Sequence, residues 1–400
     1  MTQVRTALIA WDYPPSASGL AVAAREVAES LAEAGVDVSV YTLDRADRTS
    51  INGVGIIGCL PDRVGLSKWL RRRMALGHLV APRWFAARIA ADHRRKAYDV
   101  LEATNWYAPA ALATRIPGLA FVTRHSTPAI STGAVSGSLR NRLDGRFACR
   151  LEAASARRSN GHIFNTESHG EKVTALYGLD ADTPRSVIGL SLPPERLARA
   201  SGAAYPPERE ANGPLELLFV GRAEARKGFD CLMEAVVILA AEFSGEQRPT
   251  FHLSLVGVPE ADLPELSDKA RRHVTLLGRL DDVALDRAYR AADIVVAPSR
   301  YESFGLVYQE ALAFGRPVVA LSADPSARQV IGESGAGFLA TEASGASLAA
   351  ALTKAIGDAA LRQTLHERAL AAAGRFTRAS LAAETLALYD AARAFSRQGR

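Results

Sequence analysis

Within its first 43 residues the chain runs strand, polar loop, helix, strand, and few folds accept that order. Residues 7–11 are an unbroken apolar run, suited to a strand buried on both faces. Residues 12–19 hold two prolines, two serines and a glycine, which is loop chemistry. Residues 20–34 place Leu20, Ala24, Val27 and Leu31 at helical spacing and stop at Gly35. Residues 36–43 then read as a strand. A strand followed by a crossover helix and a second strand implies a parallel sheet.

The same rhythm recurs. Strands are expected at 98–101, 119–123 and 162–165, and a second series begins at 215. There the pattern predicts strands at 215–220, 251–256, 274–277, 294–297 and 317–321, with helices at 229–242, 285–292 and 304–314. Three further helices fill the end. Between 189 and 214 the pattern dissolves into Pro, Gly, Ala and charge, which marks a domain boundary. The expected architecture is α/β: two doubly wound Rossmann-like domains facing a cleft, 1–195 and 196–376. A C-terminal helix at about 377–397, with Leu381, Leu386, Tyr389 and Ala392 as its apolar face, returns to the first domain. Ligands of such sheets bind in the loops that follow the strands.

Composition narrows the function classes. No run of about 18 uncharged apolar residues exists, so a membrane-spanning helix is not expected. Cys59, Cys149 and Cys231 are too far apart for a disulfide framework or a CxxC knuckle, which suits the cytoplasm. Residues 1–200 carry 26 Lys and Arg against 18 Asp and Glu, and residues 201–400 carry 22 against 25. The halves therefore face different partners or constraints. No aromatic–basic RNA signature or helix-turn-helix pattern accompanies the positive charge, so nucleic acid is not an expected partner.

The most informative stretch is 297–320, A-P-S-R-Y-E-S-F-G-L-V-Y-Q-E-A-L-A-F-G-R-P-V-V-A. A strand ends at Ala297, Pro298 stops it, and a helix is expected from Ser303 or Phe304. The amides of Ser303, Phe304, Gly305 and Leu306 would then be its unpaired donors, where an anion sits well. Glu302 precedes that helix and Glu310 lies two turns inside it, about 80° apart around the axis. Paired carboxylates suit a polyhydroxyl ligand. A second constellation, V-G-R-A-E-A-R-K-G at 220–228, sets Gly221 at a turn with Arg222 and Lys227 in one loop. Two cations beside a helix start suit a diphosphate.

The E-S-F-G-L-V-Y-Q-E run, the G-R-x4-K-G loop, the L-V-G turn at 255–257 and the segment 278–293 together resemble retaining GT-B glycosyltransferases. Within these the similarity is to the family-4 group, which uses nucleotide-diphospho sugars, and it covers nearly the whole chain. The resemblance implies that Arg222 and Lys227 hold the diphosphate, Gly221 turns their loop, Glu310 takes the ribose hydroxyls and Glu302 the donor sugar. It implies that Ser303, Phe304, Gly305 and Leu306 meet phosphate and sugar, that Gly19 approaches the diphosphate, and that His125 stands beside the donor sugar. It implies retention at the anomeric carbon, no cofactor and no metal. Asp180–Asp182, the one D-x-D, follows Gly178 rather than a buried strand and reads as a loop coincidence.

On the acceptor side Trp11, Trp106 and Tyr107 follow strands, where aromatic faces suit either a sugar ring or a core. The acceptor class stays open: sugar or glycan, cyclitol, lipid or small metabolite. The basic segment 65–80, with Lys68, Trp69 and Arg71 to Arg73, suits anionic lipid at the inner membrane face or plain solvent. Rival readings are a sugar-nucleotide epimerase or non-sugar coupling enzyme on the same fold, and a nucleotide-sugar-binding partner without turnover. A pyridoxal phosphate phosphorylase would need a Schiff-base lysine, which the surroundings of Lys269 and Lys354 do not suggest.

Overall fold

A computed structural model describes residues 4–16, 18–60, 76–132, 139–207, 213–243 and 251–398. The basic segment 65–80 lies largely outside the described residues. The chain divides into two compact units, Met1–Ser191 with Thr377–Arg400, and Leu192–Phe376.

The first unit is an eight-stranded sheet of order β3-β4-β2-β1-β5-β6-β7-β8. The strands are β1 Arg5–Ile9, β2 Asp37–Thr42, β3 Arg48–Ile51, β4 Val54–Gly58, β5 Val100–Thr104, β6 Ala120–Arg124, β7 Gly161–Phe164 and β8 Arg185–Val187. All pairings are parallel except β3 with β4. Helices α1 Gly19–Glu33, α2 Val80–Arg95, α3 Leu139–Ala156 and α4 Glu167–Tyr177 complete the crossovers. The Ser18 hydroxyl caps α1 by accepting the Ala21 amide at 3.0 Å, and Gly35 at φ +86° ends it. The β3–β4 hairpin is absent from the sequence expectation, although its Asn52-Gly53 turn, with φ of 50° and 78°, is the usual signal for one.

The C-terminal helix Arg378–Gln398 lies in this unit. The Arg378 side chain donates to Glu26, Glu29 and Glu33 at 2.5–3.0 Å, three carboxylates on one face of α1. Further along the helix the Tyr389 hydroxyl donates to Glu102, which also accepts from Arg124 at 2.7 Å. Leu388, not Leu386, fills the buried face beside Leu381, Tyr389 and Ala392.

The second unit is a six-stranded, all-parallel sheet of order β11-β10-β9-β12-β13-β14. Its strands are β9 Leu215–Val220, β10 Phe251–Val256, β11 Val274–Gly278, β12 Ile294–Ala297, β13 Val318–Leu321 and β14 Gly337–Ala340. Its helices are α5 Pro194–Ala200, α6 Phe229–Glu242, α7 Asp268–Arg271, α8 Asp282–Ala291, α9 Leu306–Ala313, α10 Gly345–Gly357 and α11 Ala359–Ala373, with a single helical turn at Pro325–Ala327 capped by Asp324. One apolar layer, with α6 and α10, covers one face of the sheet, and a second, with α8, α9 and α11, covers the other. The central strands β12 and β13 are apolar at every position because both faces are buried. β14 escapes the pattern reading because it is half-buried at three of its four positions and opens on Gly337, unlike the equally short but fully buried β12 and β13. Among the described residues no helix is long and apolar enough to cross a membrane.

Candidate active site

In the second sheet β9, β10 and β11 proceed to one edge and β12, β13 and β14 to the other. Strand order therefore reverses between β9 and β12, and the loops leaving their carboxyl ends diverge to leave a crevice. Those loops, 221–228 and 298–305, are the two segments that the sequence singles out.

The two loops are stitched together by backbone. The Arg300 amide donates to the Arg226 carbonyl at 2.8 Å, and the Arg226 guanidinium donates to the Tyr301 carbonyl at 3.1 Å. Gly228 adopts φ +68°, and a Cβ there would lie 1.8 Å from the Pro298 carbonyl oxygen. Only glycine permits this approach. The result sets cations against Glu302: Lys227 Nζ stands 2.6 Å from Oε1 and Arg226 Nη1 3.2 Å from Oε2. The Ser299 hydroxyl donates to Oε1 as well, at 2.8 Å. Glu302 is fixed from behind by Asp324, whose carboxylate accepts the Glu302 amide at 2.8 Å, the Tyr308 hydroxyl at 2.5 Å and the Ser326 amide at 3.2 Å. Burial pushes the Asp324 carboxyl up to about 6, against the lowering effect of those hydrogen bonds.

Arg222 and Lys227 are not brought onto one group. Gly221 donates its amide to the Val256 carbonyl at 3.0 Å, and the Arg222 side chain beyond it is 70% exposed, paired with Glu224 at 2.6 Å. The helical turn Ala225–Lys227 instead folds Lys227 back toward Glu302. Arg222, Glu224, Arg226, Glu302 and Lys227 form a row of alternating charge. Each of these cations is thus in place and already neutralised by a carboxylate partner.

The helix expected from Ser303 starts later, at Leu306. Gly305, at φ +70° and ψ 52°, is its cap residue, and Ser303 and Phe304 lie in the preceding turn. A Cβ on Gly305 would meet the Tyr308 ring at 2.4 Å. The first-turn amides are therefore those of Leu306 and its successors, and Glu310 lies one turn inside. The angle expected between the two glutamates requires one continuous helix, which Gly305 interrupts. They share no partner: Glu310 accepts from Arg196 of α5 and from the Tyr289 hydroxyl of α8 at 2.7 Å. Burial pushes the Glu310 carboxyl up, and Arg196 opposes that rise.

The first sheet reverses between β1 and β5. Trp11, after β1, donates its indole N–H to the Trp106 carbonyl, after β5, at 2.9 Å. The Trp11 and Trp106 rings meet edge to face at 6.3 Å, and Trp106 meets Tyr107 likewise at 4.9 Å. Tyr107 and Ala108 hold φ of 54° and 44°, a left-handed pair without glycine. The Tyr107 amide is anchored on the buried Glu152 at 2.8 Å. Gly19 opens α1 with ordinary φ, and a Cβ added to it would meet nothing within 4 Å, so the local backbone does not demand glycine there.

His125 departs from expectation. Its amide continues the ladder to the Ile163 carbonyl at 2.8 Å, which carries the side chain into the core. The ring is fully buried, stacked on Phe164 at 4.8 Å, with Nε2 3.1 Å from His162 Nδ1. Burial, reinforced by His162 and His169, pushes its value well below 6.5, so it is neutral at pH 7. Its surroundings are those of a core side chain, not of one offered to a sugar.

The sequence reading misses Asp324, Arg226, Arg196 and Tyr289. Asp324 carries a local signal, an Asp directly before Pro325 after a strand, which is the pattern of a helix cap. Arg226 reads alone as an exposed neighbour of Lys227. Arg196 is 114 residues from Glu310, and no local pattern links them.

Comparison with known proteins agrees with two parallel-sheet α/β units. Residues 205–371 match the family model of glycosyl transferases group 1, and residues 18–189 that of a glycosyl transferase 4-like domain. The chain is 28% identical to the glycogen synthase of Mycobacterium tuberculosis, over 99% of its own length and 96% of that protein. It is 30% identical to the D-inositol 3-phosphate glycosyltransferase of Pseudarthrobacter chlorophenolicus, over 76% and 74%. Among solved structures, a sucrose-phosphate synthase from Thermosynechococcus elongatus shares its fold with a TM-score of 0.73 at 22% identity, covering 99% of this chain and 100% of that one. Anabaena HepE, solved in complex with UDP and glucose, aligns with a TM-score of 0.65 at 20% identity, covering 96% and 100%. The chain has the GT-B architecture and belongs to the group 1 glycosyl transferases, enzymes that transfer a glycosyl group.

Proposed function

We propose that the enzyme transfers a sugar from a nucleotide-diphospho sugar to a hydroxyl acceptor, with retention at the anomeric carbon and without a metal ion. The observation that carries this reading is the stitched pair of loops at the β9/β12 reversal, which holds Lys227 and Arg226 beside Glu302. In this reading Lys227 and Arg222 take the diphosphate, assisted by the Gly305–Leu306 turn with Ser303 and Phe304 beside it. Glu302 accepts hydroxyls of the sugar and Glu310 those of the ribose. The bond from the anomeric carbon to the diphosphate oxygen breaks as the bond to the acceptor oxygen forms on the same face. The acceptor proton passes to the departing phosphate, and the cations stabilise the charge that develops there. These cations supply the positive charge that a metal would otherwise bring.

The UDP and glucose held by Anabaena HepE favour a nucleoside diphosphate as the leaving group. On the acceptor side the Trp11, Trp106 and Tyr107 rings offer apolar faces to a ring-bearing acceptor, such as a sugar, a cyclitol or a glycan end. Widely separated free cysteines suit a cytoplasmic enzyme. The test is product analysis with labelled nucleotide sugars and candidate acceptors in the presence of EDTA. An α-configured product from an α-configured donor supports the reading. Inversion, a requirement for added metal, or donor bound without turnover each contradicts it.

A further inference from the structure

Glu310, the carboxylate assigned to the ribose, is enclosed by charge that the loop motifs do not contain. Its Oε1 is paired with Arg196, and its Oε2 accepts the Tyr289 hydroxyl at 2.7 Å. Arg196 sits on α5, four residues after the chain enters the second unit, where Leu192 donates its amide to the Phe376 carbonyl at 3.3 Å. Its side chain is 9% exposed and also faces Asp286 at 3.0 Å and Asp282 at 3.6 Å. Asp286 has a cation of its own, Arg199 at 2.5 Å. Among the described residues of α5 and α8, Arg196 is thus the one cation that bonds Glu310 directly, while Asp282 and Asp286 add negative charge from the far side.

We propose that Arg196 is a positioning residue for the donor site: it holds Glu310 ionised and aimed, and so sets the affinity for the nucleotide. The proposal rests on Glu310 being the ribose-binding group of the proposed function. The physical need is plain. A buried carboxylate tends to take up a proton, and a protonated Glu310 would lose half of its acceptor capacity toward a diol. An ionised but unpaired Glu310 would instead repel the incoming diphosphate. A guanidinium held against it removes both difficulties. Glu302 is served in the same way by Lys227 and Arg226, but Lys227 is also offered to the phosphate. Arg196, on a separate helix, is committed to Glu310 alone among the two glutamates.

The experiment is calorimetric titration of the full-length protein with UDP, GDP, ADP and dTDP from pH 5 to 8, for wild type, R196M, R196K and E310Q. For the nucleotide that wild type binds, E310Q should weaken binding and flatten the acid limb of the pH profile. R196M should weaken it by about tenfold at pH 7 and shift the acid limb to higher pH, because Glu310 without its cation protonates more readily. R196K should recover part of both effects. If R196M does not fold, the R196K limb, expected at a pH above that of wild type, carries the test. Affinity and pH profile unchanged in the foldable Arg196 variants, with E310Q weakened, overturn the proposal while leaving the donor site intact. Unchanged binding in E310Q instead overturns the assignment of Glu310 itself.

Discussion

The two sheets reverse strand order at equivalent places, between β1 and β5 in one unit and between β9 and β12 in the other, yet the loops there differ in chemistry. The second unit carries Arg222, Arg226 and Lys227 facing Glu224 and Glu302, with Gly228 where the two loops approach most closely. The first carries Trp11, Trp106 and Tyr107, and it buries three histidines, His125, His162 and His169. A shared architecture therefore fixes where a ligand sits, whereas the loop residues decide what that ligand is. Paired charge suits a diphosphate, whose oxygens can replace the carboxylates already present. Ring faces suit the apolar side of an uncharged, ring-bearing molecule.

The sharpest way to break the contrast is to remove charge on one side and rings on the other. Lys227→Met should lower kcat/KM by about 10²–10³, the range for losing a donor to a developing oxyanion, with acceptor KM nearly unchanged. Initial-rate kinetics with both substrates varied would check it, and an effect confined to acceptor KM would reverse the assignment. Next in size is Gly228→Ala. It combines φ +68° with a Cβ placed 1.8 Å from the Pro298 oxygen, and should cost at least about 2 kcal/mol in denaturant unfolding. Gly19→Ala, at ordinary φ with open space around it, should stay within about 1 kcal/mol of wild type or gain slightly. If Gly19→Ala keeps its stability but loses turnover, close approach by phosphate is the reason. Trp106→Ala should raise acceptor KM about tenfold and leave nucleotide affinity as it was.

The remaining predicted contrast is in pH response. Burial lowers His162 and His169 to about 4 from 6.5, with Arg185 and Lys172 respectively acting in the same direction. The unfolded chain therefore binds more protons between pH 6.5 and 4, and acid in that window weakens the first unit. Asp324 runs the other way: burial raises it from 3.8 to about 6, so the folded second unit binds the extra proton and loses stability as pH rises across that window. Each group contributes at most about 1.4 kcal/mol per pH unit. Hydrogen exchange at pH 4.5 and 6.5, corrected for intrinsic rates, should show β6–β7 amides less protected at the lower pH and β12–β13 amides no less protected. Parallel loss in both sheets would remove the contrast.

Most of the architecture is legible in the sequence because buried parallel strands read as short apolar runs and helices announce their ends. Residues 215–220, 229–242, 251–256 and 294–297 coincide with β9, α6, β10 and β12. Strands β3, β8 and β14 are not, since none is a buried apolar run, and β4, though buried, is interrupted by Gly55 and Gly58. In the candidate site the loops are legible and the pairings are not. Lys227 and Glu302 are adjacent only because Gly228 lets two loops touch, and Arg196 reaches Glu310 only through the packing of α5. His125 shows the opposite failure: its place after a strand is visible in the sequence, but its burial follows from one further ladder bond, to Ile163.

The most direct test of a donor site on the second sheet is thermal denaturation with UDP, GDP, ADP and dTDP, comparing wild type with Glu310→Ala and Lys227→Met. A nucleotide present at 100 times its Kd adds about 2.7 kcal/mol of stability. With the donor site at these residues, one nucleotide raises the wild-type melting temperature and both substitutions abolish most of that rise. An equal rise in all three proteins, or no rise with any nucleotide, would contradict it.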